Sequence, residues 1–271
     1  MTLGHRNSLS DLSLRVTLWG LAALSIILLM APTLVVLIVS FTSGFSLKFP
    51  PPGYSLRWYE ALFEAWQLHF AAWNSIKIAG LTTLLSVVLG VSASLGIARS
   101  EKMMARVLDS FFMSPLILPA LAFGLAALIF FSQLGMSASV TTLVIGHTVV
   151  CIPYVMRTTV AALAQLPATL LESSASLGAD RWYSFRRVTL PLIAPGIAAG
   201  AFIAFMSSFD NVPVSLFLRD ARTDMLPIRM WQDLEGKLDV TIAALSGVMI
   251  FATLILMIVM EKLTGITKRM R

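Results

Sequence analysis

The chain has 271 residues, of which 57% are hydrophobic and only 13% charged, with a mean hydropathy of +0.84. Soluble domains carry about 25% charged residues, so a soluble globular fold is excluded and a membrane protein is expected. The single cysteine, Cys151, excludes a disulfide framework and a cysteine-based zinc site, and the net charge of +6 leaves a nucleic-acid partner open until the charge is located along the chain.

A membrane-spanning helix needs about 20 apolar residues. Six such stretches are predicted, at about 16–41, 72–98, 108–132, 138–162, 188–209 and 240–261. The first contains no Asp, Glu, Lys or Arg. It is too long for the apolar part of a cleaved signal peptide, and no small-x-small site follows it. In the segment after it, about 43–71, the run Pro50-Pro51-Pro52-Gly53 must be extended or turned. Ser55 is then placed to cap a short helix, in which Leu56, Tyr59, Phe63 and Trp66 recur at roughly helical spacing. With Trp58 and Trp73 nearby, this helix is expected to lie on the outer surface with its rings at headgroup level, or to present them to a partner. The third and fourth spans come from one stretch, 110–156, that lacks those four charged types throughout. The small and polar run at 132–137 divides it. The second and fifth spans are rich in small residues, Gly90 and Gly96 in one and Gly196 and Gly200 in the other, which let helices approach closely in lipid. Pro32, Pro115, Pro119, Pro153, Pro191 and Pro195 sit inside spans or at their ends and can kink them. A second polar segment, about 210–239, carries an amphipathic piece from Met225 to Trp231.

Lys and Arg set the orientation. With the amino terminus inside, the inner segments hold 13 basic residues and the outer ones 7, and the inner and outer net charges are +7 and −1. Both termini are therefore expected to be cytoplasmic in a bacterial inner membrane, with the 43–71 and 210–239 segments periplasmic. The basic balance is accounted for by topology, and a nucleic-acid partner is dropped.

Signatures of catalysis are missing. There is no G-x-x-x-x-G-K-[ST] nucleotide loop, no H-E-x-x-H and no G-x-S-x-G. His5, His69 and His147 are too scattered for a metal cluster. His147 is the one titratable group besides Cys151 well inside a span. Such a residue is a functional hypothesis by default, and a hydrogen-bonded packing histidine is the competing reading.

The longest polar interruption on the inner side runs from Glu172 to Pro191, within a loop over 164–191. Pro167 suits the start of a helix, with Ala168 to Leu177 to follow. Gly178 fits the left-handed position that ends a helix, and Asp180 can cap the next. In that next piece Trp182, Phe185 and Val188 are apolar at spacing three, while Arg181, Arg186 and Arg187 can reach phosphates or an acidic partner. An ordinary connection needs only a few residues.

The spacing Glu172-x5-Gly178, then Val188, Leu190 and Pro191, resembles the EAA loop of the permease subunits of ABC importers. The two alanines of that signature are Ser173 and Ser174 here. The resemblance implies an all-α membrane protein of six transmembrane helices with the type I (MetI-like) permease fold, forming a single permease domain over 1–271. It also implies that the loop docks on a separate ATPase subunit, with Glu172, Ser173, Ser174, Gly178, Arg181, Leu190 and Pro191 as contact or fold-defining positions. The implied partners are a second permease subunit, two cytoplasmic ATPases, a periplasmic solute-binding protein and membrane lipid. ATP and magnesium would be used by the ATPase, and this chain would hold no cofactor or metal. The runs 55–62, 207–211 and 226–231 are similar to the spermidine/putrescine permease branch, which implies a polyamine cargo; the alternatives are the same importer architecture for another small solute, such as an amino-acid derivative, opine or phosphonate, and a six-span ion-coupled carrier or channel. A cation in a low-dielectric passage needs carboxylates, carbonyls or ring faces, and Asp210, Asn211, Tyr154 and Phe209 are the expected contributors. For Asp210 a solvated span end or helix cap is the competing reading.

Overall fold

In the computed structural model the described residues are 6–237 and 240–264. Lys268, Arg269 and Arg271, counted above among the inner cations, lie outside them. Twelve helices follow one another: α1 (Arg6–Ser40), α2 (Arg57–Glu64), α3 (Trp66–Ala98), α4 (Lys102–Ile117), α5 (Ala120–Gln133), α6 (Val140–Ala164), α7 (Ala168–Ser176), α8 (Arg181–Ser184), α9 (Leu190–Phe209), α10 (Val212–Leu218), α11 (Leu226–Lys237) and α12 (Thr241–Thr264). Among the described residues five helical stretches are long and apolar enough to cross a membrane, and there are six if the bent pair α4–α5 counts as one span. The described residues form two compact units, one within 6–64 and 233–252 and the other within 65–232 and 253–264.

The third span, expected at about 108–132, is two helices, α4 and α5, set at 102° to each other. The break is at Leu118-Pro119. A residue before proline is pushed into the extended region, and Leu118 has ψ 142°. Pro119 has no N–H to continue α4 and starts α5 as its N-cap. Pro32, Pro115, Pro153 and Pro195 all lie within continuous helices. The turn at 132–137 also has a definite form. Gly135 takes φ +72°, its N–H bonds Ser132 O, and Met136 N bonds Phe131 O, closing the α5 carbonyls in a Schellman motif. Ser139 and Thr142 then open α6 with a reciprocal capping box.

In the first unit the segment after α1 folds back on itself. Ser43 N bonds Gly53 O, and Ser55 N bonds Phe41 O. Arg57 N donates to Ser55 Oγ, the cap expected from sequence. The Tyr59 hydroxyl is 2.8 Å from Ser40 Oγ, and Gly247 of α12 lies against that pair, where a Cβ would come within 2.6 Å of the Tyr59 oxygen.

The second unit is built on α3, α6 and α9, and along α3 the polarity is inverted relative to a helix of a soluble core. The buried stripe of α3 reads Ile78, Thr82, Ser86, Gly90 and Ser94, while Leu81, Leu84, Leu85, Val88 and Leu89 face outward. Small and polar residues inside with aliphatics outside is the arrangement of a helix set in lipid, where packing and not water exclusion joins the helices. Gly196 and Gly200 of α9 make the closest approach. A Cβ on Gly196 would lie 2.8 Å from Thr158 O, and one on Gly200 2.8 Å from Val155 Cα, both on α6. Gly90 of α3 meets Val155 in the same way.

Candidate functional site

Two regions of the second unit carry polar groups in a definite arrangement. The first is the 164–191 loop. The helix α7 ends in a second Schellman motif. Gly178 takes φ +83°, Gly178 N bonds Ala175 O, and Ala179 N bonds Ser174 O. Asp180 then caps α8, accepting from Tyr183 N at 2.7 Å. The chain enters α9 through a π-helical turn, Phe185–Thr189. Pro191 explains that turn. It has no N–H to bond Arg187 O, so the ladder slips by one residue and Leu190 N bonds Phe185 O.

The structure separates the loop's expected residues by exposure. Glu172, Ser173, Gly178, Arg181 and Pro191 are exposed, Leu190 is half-buried, and Ser174 is buried. Ser174 Oγ lies 2.7 Å from Ser184 Oγ, so this serine joins α7 to α8 and presents nothing outward. The sequence reading passed over two residues here. Ser184, ten positions on, is the partner of Ser174. Leu177 stands at the tip of α7 and is 89% exposed. The available signal was a leucine immediately before a helix-ending glycine, which has no inward face to occupy.

The second region is the end of the bundle near α10. His147 is fully buried on α6, with Nδ1 2.8 Å from Ser208 Oγ of α9 and Nε2 3.0 Å from Ser215 Oγ of α10. An uncharged imidazole offers one donor and one acceptor, and two hydroxyls satisfy either tautomer. The ring therefore ties three helices together, which is the packing reading of His147. His147→Leu is expected to lower stability by about 2 kcal/mol, because two buried hydroxyls lose their partner. Adding Ser208→Ala and Ser215→Ala in that background is expected to recover part of the loss. Thermal unfolding of the purified chain checks both, and no recovery in the triple variant would count against the network.

The four residues expected along a passage are not brought together. Phe209 is buried and stacks on Phe205 with ring centroids 6.1 Å apart. Asn211 is a helix cap, its Oδ1 accepting from Val214 N at 3.0 Å. Asp210 is exposed at the C-terminus of α9. Tyr154 lies level with Gly200, nine residues back along α9 from Phe209, a distance of roughly 13 Å at 1.5 Å per residue. The polar segment beyond α10 is instead anchored through Asp224, whose carboxylate sits between Arg219 at 3.2 Å and Arg229 at 3.8 Å. Asn74 Nδ2 bonds Asp224 O, and Ser75 Oγ accepts from Leu226 N, so α3 holds both ends of the turn into α11. Among the described residues no group of His, Cys, Asp and Glu could hold a metal ion.

Residues 86–267 match the family described as binding-protein-dependent transport system inner membrane component. The chain belongs to that family. It is 27% identical over 212 residues to the spermidine/putrescine permease protein PotC of Haemophilus influenzae, covering 78% of this chain and 82% of that one. It is 31% identical over 172 residues to the molybdenum permease protein ModB of Mycobacterium tuberculosis, covering 58% and 65%. A bacterial alginate ABC transporter, solved in complex with an alginate-bound periplasmic protein, has the same fold. Its TM-score is 0.68 at 17% identity, covering 98% of this chain and 97% of that one. The chain is thus a nearly all-helical, multi-pass ABC importer permease of the MetI-like fold.

Proposed function

We propose that this chain forms half of the translocation pathway of an ATP-driven importer for a polyamine such as putrescine or spermidine. It pairs with a second permease subunit, two ATPase subunits that bind ATP and magnesium, and a periplasmic solute-binding protein. Its termini and the 164–191 loop are cytoplasmic, and the chain has no ATPase site of its own. The observation that carries this reading is the form of that loop. A short helix ends on a positive-φ glycine, exposes Glu172, Ser173 and Leu177, and is braced from behind by Ser174–Ser184. An exposed leucine on a braced, rigid tip is the kind of apolar anchor that fills a partner's pocket.

In this mechanism the loaded binding protein docks on the outer segments and the ATPases close on ATP. The loop relays that closure, and the helices exchange between two accessible states, each favoured by a different ligand. The binding protein sets selectivity, so the passage needs few charged groups. Asp210, exposed at the outer end of α9, is the carboxylate available to a passing cation. The 31% likeness to a molybdenum permease favours one second reading, a small oxyanion cargo. The test is to purify the assembled complex in nanodiscs with its binding protein and measure ATPase stimulation by putrescine, spermidine, molybdate and 2-aminoethylphosphonate. Stimulation by the two polyamines alone is expected. Stimulation by an oxyanion alone would replace the cargo, and failure of any ATPase to co-purify would overturn the assembly.

A further inference from the structure

Against the loop, a cavity of about 430 Å³ opens between the end of α3, α7 and the run from α8 into α9, with Ala175 of α7 and Ala179 just after Gly178 also in its wall. Its walls include Arg99, Leu171, Arg181, Ser184, Phe185 and Thr189. The cavity has two kinds of lining. Arg99 and Arg181 bring guanidinium groups that have no hydrogen bond or ion pair among the described residues, and no lining residue is acidic. Leu171 and Phe185 supply apolar lining. Both arginines stand at ends of membrane-length helices. Arg99 is the residue after Trp66–Ala98, and Arg181 opens Arg181–Phe209. The cavity therefore lies at the ends of two membrane-length helices, the part of a span that extends beyond the hydrocarbon toward the headgroups. The neighbouring rings agree, since Trp182 is 68% and Tyr183 56% exposed and Trp182 packs on Phe185 at 5.7 Å. Exposed Trp and Tyr populate that layer.

We propose that this cavity binds the headgroup of an anionic phospholipid. Arg99 and Arg181 hold the phosphate oxygens, for which the planar guanidinium fork is suited. Leu171 and Phe185 pack on the glycerol and the first acyl carbons. A free phosphate would use the arginines and leave the apolar lining against water, which is why a lipid fits better. A bound headgroup links the end of α3 to the segment just after Gly178, so lipid composition bears on how the loop is held. The proposal depends on the chain spanning a membrane, and not on the importer assembly or its cargo.

The full chain, purified in neutral detergent, can be titrated with phosphatidylglycerol and the retained lipid counted by native mass spectrometry. One tightly held phosphatidylglycerol per chain is expected, with phosphatidylcholine of the same acyl chains held more weakly. Arg99→Gln and Arg181→Gln should each weaken retention about fivefold and the pair roughly 25-fold. Paired substitution to Lys should preserve most of it, and Arg222→Gln, at an exposed turn of the outer segment, should leave it unchanged. If the double glutamine variant misfolds, the single variants and the lysine pair carry the test. Equal retention by the glutamine variants, equal affinity for phosphatidylcholine, or displacement by millimolar inorganic phosphate would each overturn the proposal. So would a double variant that keeps its lipid but fails to co-purify with the ATPase, which would assign the arginines to a protein partner.

Discussion

Gly200→Val is expected to separate α6 from α9 and to abolish transport, with a loss of stability near the upper end of the overpacking range, about 3 kcal/mol. Even a single added Cβ would stand 2.3 Å from Thr158 Oγ1 and 2.8 Å from Val155 Cα. The hydroxyl can rotate away, but the Cα cannot move without its helix. One turn earlier, a Cβ on Gly196 would lie 2.8 Å from Thr158 O, so the two glycines form a G-x-x-x-G face on which α6 rests. Separating the helices also pulls on the far end of the same contact, where Ser208 bonds His147. Gly200→Ala should give a smaller loss in the same direction. Gly80→Ala is the control, since a Cβ there meets nothing within 4 Å. Scanning fluorimetry of the purified chain gives the unfolding midpoints, and the same midpoint for Gly200→Val and Gly80→Ala would mean that α6 and α9 are not so closely packed.

The small residues of the fifth span were visible in the sequence, but which of them touch α6 was not. Span positions are legible because a length of uncharged, apolar chain has few alternatives in a bilayer. Rotation about the span axis is not. When nearly every position is apolar, no periodicity marks an inner face, and on α3 that face is marked instead by Thr82, Ser86, Gly90 and Ser94. The prolines show the same limit. Six were equal candidates for a kink, and only Pro119 divides a span, because Leu118 turns extended before it and Pro119 begins a new helix. Local chemistry was readable wherever it closes within a few residues. Ser55, Gly178 and Asp180 act where the sequence places them.

The candidate site divides in the same way. The helix, glycine break and cap of the 164–191 loop are short-range features. The partner of Ser174 is not, since nothing in a single chain marks Ser184 as the group it will meet. Asp210, Asn211, Tyr154 and Phe209 were grouped by residue type. The register between α6 and α9, which sets Tyr154 against Gly200, emerges only from the packing of the two glycines. Asn211 is consumed as a cap and Phe209 as core, and of the four Asp210 is the exposed residue.

Gly178→Val is expected to leave the chain folded and inserted but to lose cargo uptake, while the assembled complex continues to hydrolyse ATP without responding to cargo. The reason is confined to the backbone. Gly178 has φ +83°, and a Cβ there would meet nothing within 4 Å, so no packing contact within the chain is disturbed. An L-residue in that region costs about 1–2 kcal/mol, and a β-branched side chain is the least tolerant of it. That cost far exceeds what a helix end in water can hold against fraying. The Schellman bonds from Gly178 N and Ala179 N would open, and the tip carrying Leu177 would lose its direction. Ser174→Ala removes only the brace to Ser184, a single hydrogen bond of about 1 kcal/mol, and should reduce uptake without abolishing it. Asn tolerates the left-handed region better than other residues with side chains, so Gly178→Asn should retain most uptake. The Val and Asn variants therefore separate two causes. If both fail equally, the added side chain is striking the partner. If Val alone fails, the backbone turn is what transmits the motion. Normal cargo-stimulated uptake by Gly178→Val would remove the loop from the coupling path altogether.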